Sequence, residues 1–391
     1  LHASHACWQP DAAGSRDAAV RASADLLQRL LSDCDETLLS AWESSRTPFP
    51  SRKPVASASA PWLLYPARYT PAGLCDPSEF GELFGNYLPE DEPSQPWRDV
   101  SGHFSPFLSV AAALRRLERL GLPMSRFVVN LGAADGSCGW GSLYDPANCL
   151  LADRAFNVTA MLFEGGPDVL PILWRRFGTS RRVHLRAGFT TPRMAARDVT
   201  ALMPPGGDID LLKIDIDNCD SCFMDVLLKA GAKPKLIHVE ITDFMPPTLA
   251  ASMVFNGRMV GNSTCGELGE CMCGSLGEFL RVAKGYRLLH VEYVNALLVR
   301  QDLFHHLAGH SPMTLSDEQK WRLGWLCHPM RTHSDWSHSV LFRRRGVDVS
   351  VLADTRVPLE KRRAFAESLF AEKALRREYS VRAVAREGEK K

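Results

Sequence analysis

The chain has 391 residues, 45% of them hydrophobic, enough to bury a full core in one large domain with extensions or in two domains. Its 46 basic and 45 acidic residues leave a net charge of +1, which excludes a general electrostatic attraction to nucleic acid or to an anionic membrane. No apolar run reaches the roughly 18 residues of a membrane-spanning helix, so no transmembrane segment is expected.

Residues 17–43 set Leu26, Leu27, Leu30, Leu31, Leu38, Leu39 and Trp42 at helical spacing and predict one or two amphipathic helices. Residues 44–61 are rich in Ser, Pro and Ala and read as a linker; 62–106 read as an irregular arm laid over the main domain. Residues 1–104 are therefore taken as an N-terminal helical and Pro-rich extension. Phe107–Leu120 is a predicted helix, ended by Gly121-Leu-Pro123.

From there the pattern is regular. Short apolar runs at 127–131, 158–163, 183–187, 209–216 and 235–241 are separated by segments long enough for crossover helices, which predicts a parallel sheet covered on both faces. A helix is expected at 275–284. Tyr286–Tyr293 and Asn295–Arg300 follow almost without a gap, and so short a connection forces an antiparallel pair. The expected fold is α/β and Rossmann-like: five parallel strands plus a C-terminal antiparallel hairpin, helices on both faces. It matches the seven-stranded sheet of class I methyltransferases, whose last strand inserts antiparallel. The sheet-bearing domain spans 105–302, with a Cys/Gly-rich insert at 244–274. Residues 303–391 form a C-terminal extension with a charged helix at 358–378, and Arg382–Lys391 are expected to fray.

Open α/β sheets place ligands at the carboxyl ends of their strands, and the chemistry-bearing residues fall there. Asn130-x-Gly132-x-x-Asp135-Gly136 reads as the turn out of the first strand, where glycines admit close approach of a ligand to the backbone. Ala134 occupies the second glycine position of GxGxxG, which argues against a nicotinamide enzyme. Glu164 closes the second strand. A carboxylate there can accept both hydroxyls of a nucleoside ribose, or simply cap the following helix. Asp215 and Asp217 share one face of their strand, and His238 and Glu240 repeat the alternation next door, so these groups form either a site or an ion-pair network with Lys213. Their oxygens would suit Mg²⁺ or Ca²⁺, but the spacing is not diagnostic and no metal site is assigned. The histidines at 305, 306, 310, 328, 333 and 338 lack a carboxylate or Cys at ligand spacing and read as packing or surface residues.

Eleven cysteines form no paired CxxC pattern; Cys219-Asp-Ser-Cys222 stands by itself, and disulfides are favoured over a metal. Two sequons occur, Asn157-Val-Thr and Asn262-Ser-Thr. Asn157 adjoins a predicted core strand, where a glycan would fit poorly, so Asn262 is the better acceptor. Cysteine count, sequons and a first residue that is not Met lean toward a processed chain in the secretory pathway, outside the cell or in an organelle lumen.

Asn130–Gly136, Glu164, Lys213-Ile-Asp-Ile-Asp217 and Ile237-His-Val-Glu240 together resemble the FkbM-type branch of S-adenosylmethionine-dependent methyltransferases, and more narrowly a eukaryotic subset of it. Asp145-Pro146, Thr191-Pro192, the run from Asp215 to Phe223, Gly274-Ser-Leu and Gly285–Arg300 follow the same pattern, and the resemblance covers about 105–302. It implies S-adenosyl-L-methionine over Gly132, Asp135 and Gly136, its ribose on Glu164 and its methionine end near Asn130 and Asp215. The methyl group would pass to a hydroxyl of a small-molecule or glycan acceptor, with Asp217, His238 or Glu240 as base. Two departures stand out: Asn130 replaces an acid common at that position, and Ala134 replaces a glycine. The other reading is a catalytically inactive methyltransferase-like domain that serves as an assembly subunit, gripping protein partners through 44–106 and 303–391.

Overall fold

The computed structural model describes residues 109–138, 145–216, 218–255, 274–307, 315–326, 347–369 and the backbone of 379–383. The expected helices at 17–43, the arm at 44–106, Asp217, the second sequon, and the histidines at 310, 328, 333 and 338 lie outside the described residues.

Five strands run parallel: β1 (Phe127–Leu131), β2 (Thr159–Glu164), β3 (Val183–Ala187), β4 (Asp208–Ile214) and β5 (Lys233–Glu240). β7 (Tyr286–Glu292) and β8 (Asn295–Arg300) close the sheet, whose order is β3-β2-β1-β4-β5-β8-β7. β8 pairs antiparallel with both β5 and β7, so the last strand inserts as its short connection requires. The fold is a Rossmann-like α/β sheet, mostly parallel, with the strand arrangement of class I methyltransferases. Strand order reverses between β2-β1 and β1-β4, and the crevice at that reversal opens at the strands' carboxyl ends.

Two apolar layers cover the sheet. One face carries α1 (Val110–Arg119), α2 (Pro146–Ala152) and α3 (Leu170–Phe177), which bury Leu114, Leu117, Leu150 and Leu173 against Val128, Leu162 and Leu211. The other face carries α4 (Pro192–Leu202), α5 (Asp220–Lys229) and α6 (Leu276–Val282), with Val199, Phe223, Leu227 and Phe279 against Val129, Leu212 and Ile237. Four of the six starts are capped by a side chain: Ser109, Asp145, Thr191 and Ser275 accept backbone N–H bonds, and proline fills a first-turn position in α2, α3 and α4.

The C-terminal part joins the second layer. Trp321, in a short helix (Asp317–Trp321) that runs on into a π turn, stacks on Trp325 at 4.9 Å. Its Nε1 donates to the Asp243 carbonyl at 2.9 Å. Leu326, Val349, Leu352 and Ala366 complete that cluster. The charged helix runs over Leu359–Leu369, the rest of 358–378 lying outside the described residues apart from its first position. Arg382 and Ala383, expected to fray, pair instead: a ribbon joins β9 (Tyr379–Ala383) antiparallel to β6 (Leu249–Met253) of the insert.

Candidate functional site

β1, β4 and β5 bring three polar side chains into one row. The register places Asn130 beside Lys213 and Lys213 beside His238, and all three are buried. Alternation puts Glu164, Asp215 and Glu240 on the same face one step nearer the strand tips. β8 and β7 extend this tip row, since Asn295 faces both Glu240 and Glu292.

Lys213 is the hub. Its Nζ donates to the Gly132 carbonyl at 2.8 Å and pairs with Asp215 at 3.1 Å and Asp145 at 3.4 Å. Burial acts to lower the pKa of this ammonium, but Asp215 and Asp145 outweigh burial and hold it charged. For Asp215, burial acts to raise its pKa. The Lys213 charge and a hydrogen bond from Glu240 overcome it and hold Asp215 below the usual carboxylate range. His238 answers oppositely: burial first, then the Lys213 charge, push its pKa down to about 3, and the ring is neutral. Its Nδ1 has no hydrogen-bond partner among the described residues.

The glycine turn is shaped as its sequence implies, for two reasons of packing. Gly132 has φ +86, and a Cβ there would collide with the Asp215 carbonyl, so β1 and β4 approach too closely for any side chain. Gly136 has φ +74 and lies against Leu173 and Phe177 of α3. Asp135 is buried and accepts from the Ser137 N–H at 2.9 Å, closing the turn. Ala134 is exposed at φ +49.

Glu164 spans the crevice. Its two oxygens accept from the Ala134 N–H at 2.7 Å and the Gly166 N–H at 2.6 Å, tying the end of β2 to the turn after β1. Burial is the largest influence on this carboxyl and holds its pKa above the ordinary value, against the backbone donors of Gly166, Ala134 and Gly165 and the Lys213 charge. A carboxylate oxygen has two lone pairs, so each retains acceptor capacity toward a ligand.

The structure thus gathers Gly132, Ala134, Glu164, Asp215 and Glu240 at one set of strand tips, with His238 one row beneath. Asn130 stands apart from its expected role. It is fully buried, and its Nδ2 donates to Asp145 at 3.0 Å and Asn148 at 3.1 Å, while Asn148 donates to the Ala133 carbonyl at 3.0 Å. Sequence reasoning had not assigned Asp145 and Asn148 to the site, nor Asn295 and Glu292. The legible signal for the first pair was Asp145-Pro146, an N-cap followed by proline at the first helical position. Cys138 and Cys149 form a disulfide that fastens α2 to the turn, and Cys219 and Cys222 form another at the start of α5. No group of three or more His, Cys, Asp or Glu suited to a metal ion occurs among the described residues.

No protein-family model and no curated protein matches the sequence. Among solved structures, similarity is found to monomeric WbdD, with 16% identity and TM-score 0.31, over 56% of this chain and 48% of WbdD. The match therefore spans about half of WbdD's length. A putative caffeoyl-CoA O-methyltransferase from Staphylococcus aureus gives 11% identity and TM-score 0.33, over 62% of this chain and 98% of that one. Aeropyrum pernix fibrillarin, solved with bound S-adenosyl-L-methionine, gives 12% identity and TM-score 0.29, over 48% and 74% respectively. These likenesses are distant, and the fold is read from the order and direction of the strands.

Proposed function

We propose that this chain is an S-adenosylmethionine-dependent methyltransferase of the FkbM-type branch that acts on a hydroxyl of a small-molecule or glycan acceptor. The observation that carries the reading is Glu164, a carboxylate bonded across the switch-point crevice to the Ala134 N–H with acceptor capacity left on both oxygens. The residues present fit a nucleoside: a bare backbone at Gly132, an exposed Ala134, and a carboxylate aligned for two ribose hydroxyls.

When bound, the sulfonium donor supplies a methyl group already activated for transfer, so the protein's task is alignment and proton removal. Glu164 would hold the ribose, and Gly132–Gly136 would shape the cradle. Asp215, kept ionised by Lys213, would face the methionine end. For the acceptor proton, Glu240 at the strand tip is favoured over His238, which burial and the Lys213 charge make a weak base. Asp217 remains a candidate on its position two residues beyond Asp215.

One observation favours the second reading, a methyltransferase-like domain without activity: Asn130 is fully buried with its Nδ2 given to Asp145 and Asn148, which withdraws its side chain from a ligand at the surface of the crevice. Against the partner-gripping form of that reading, Trp321, Trp325, Leu352 and Ala366 pack into this chain's own core.

A thermal shift with S-adenosylhomocysteine separates the two. At 100 times its dissociation constant a ligand stabilises by about 2.7 kcal/mol, and Glu164→Gln should lose most of that shift. No stabilisation of the wild-type chain at millimolar ligand overturns the methyltransferase reading.

A further inference from the structure

The sequon Asn157-Val158-Thr159 plays no part in methyl transfer, and its surroundings differ from what the sequence suggested. Burial falls on its neighbours: Phe156 and Val158 are 3% and 1% exposed and anchor the turn on the core. Asn157, between them, is exposed. No hydrogen bond engages its side-chain amide among the described residues. The backbone there is left-handed, with φ +46, so the residue stands out of the line of the strand that follows. Thr159, first in β2, is half-buried, and its N–H donates to the Arg126 carbonyl at 2.7 Å. The sequon therefore sits at the amino end of β2, whereas Glu164 closes the carboxyl end of the same strand. A large substituent on Asn157 would leave the crevice open.

Two independent features bear on what could occupy this position. The acceptor sequence Asn-x-Thr is complete, with a residue other than proline in the middle. The described residues also contain two disulfides, Cys138–Cys149 and Cys219–Cys222, and such bonds form and persist in oxidising compartments. A plainer explanation covers part of the motif, because asparagine is enriched at left-handed positions for conformational reasons. Threonine is in turn favoured in strands, which suits Thr159 at the start of β2, but neither preference requires the two residues to stand at sequon spacing.

We propose that Asn157 is an N-glycosylation acceptor, modified in the compartment where the two disulfides form. The donor is an oligosaccharide carried on a lipid pyrophosphate. The Asn157 Nδ2 forms a bond to C1 of the first sugar, the C1–O bond to the pyrophosphate breaks, and the lipid pyrophosphate leaves with the electron pair. The amide nitrogen loses one proton to the transferring enzyme. The proposal is independent of the methyl-transfer reading.

The test uses the full chain isolated from the cells that make it. Peptides containing Asn157 are examined by mass spectrometry before and after peptide N-glycosidase treatment. The expected result is a glycopeptide that the enzyme converts to a sugar-free peptide with aspartate in place of the glycosylated asparagine. In the same cells Thr159→Ala and Asn157→Gly should abolish the modification, and Thr159→Ser should retain it. Glycine accepts the left-handed backbone, so loss of the glycan in Asn157→Gly cannot be ascribed to misfolding. Recovery of the wild-type Asn157 peptide wholly unmodified overturns the proposal, as does a glycan that persists on Asn157 in Thr159→Ala.

Discussion

Removing an ammonium group from water costs several kcal/mol unless close anions and acceptors replace the lost hydration. Lys213 meets that condition with Asp215, Asp145 and the Gly132 carbonyl, and its charge then sets the state of its neighbours. The ammonium holds Asp215 ionised, and burial together with the same charge holds His238 neutral. The consequence for His238 can be measured. Its pKa is about 3 in the fold against 6.5 for the free side chain, so between those values the unfolded chain binds a proton that the folded chain refuses. Stability must therefore fall as pH drops through that window. At about 1.4 kcal/mol per pH unit, the wild-type chain should lose about 2 kcal/mol more than His238→Gln between pH 7 and pH 5. Denaturant titrations at the two pH values check this; parallel losses in the two proteins would show that the ring is not held neutral. Glu164 follows the same logic in binding. Its carboxyl lies above the ordinary pKa, so affinity for a ribose should weaken in mild acid as the acceptor lone pairs are lost to a proton.

At the scale of elements, α2 connects the sheet to the site. Asp145 caps it and reaches Lys213 and Asn130, and Asn148 reaches Asn130 and the Ala133 carbonyl. The Cys138–Cys149 bridge, with 11 residues of sequence separation, holds this helix to the turn after β1. Replacing both cysteines by serine should cost about 2–3 kcal/mol, the chain-entropy value for a loop of this size. The loss would be read as a lowered denaturant midpoint, and an unchanged midpoint would mean that the bridge adds nothing to the fold. The strands themselves were legible in the sequence because buried parallel strands read as short, nearly continuous apolar runs. Tyr286–Glu292 and Asn295–Arg300 were legible as a hairpin because only two residues separate them. The β6–β9 ribbon was not: it pairs segments more than a hundred residues apart, and no local pattern encodes such a partner. The network of α2 was hidden for a similar reason. Asn130 looked like a ligand-binding residue at a strand end, and only the return of α2 over β1 shows that its Nδ2 is already engaged.

For the molecule as a whole, strand order is what ties these residues to a function. Because β1 lies between β2 and β4, the turn at Gly132, the carboxylate of Glu164 and the Lys213–Asp215 pair converge from three strands on one crevice. The sequence disclosed which residues lie at strand ends; their convergence depends on a topology that periodicity does not encode. The C-terminal segment carries a further lesson. Residues 303–391 read as an appended extension, yet Trp321 and Trp325 are fully buried in the core of the sheet's second layer. The sharpest check is a crystal structure of the chain grown with saturating S-adenosylhomocysteine. The nucleoside is expected over Gly132–Gly136, with both ribose hydroxyls on Glu164 and the amino-acid end toward Asp215. A ligand bound elsewhere, or a crevice still empty at saturation with Glu164 bonded only to Ala134 and Gly166, would contradict it.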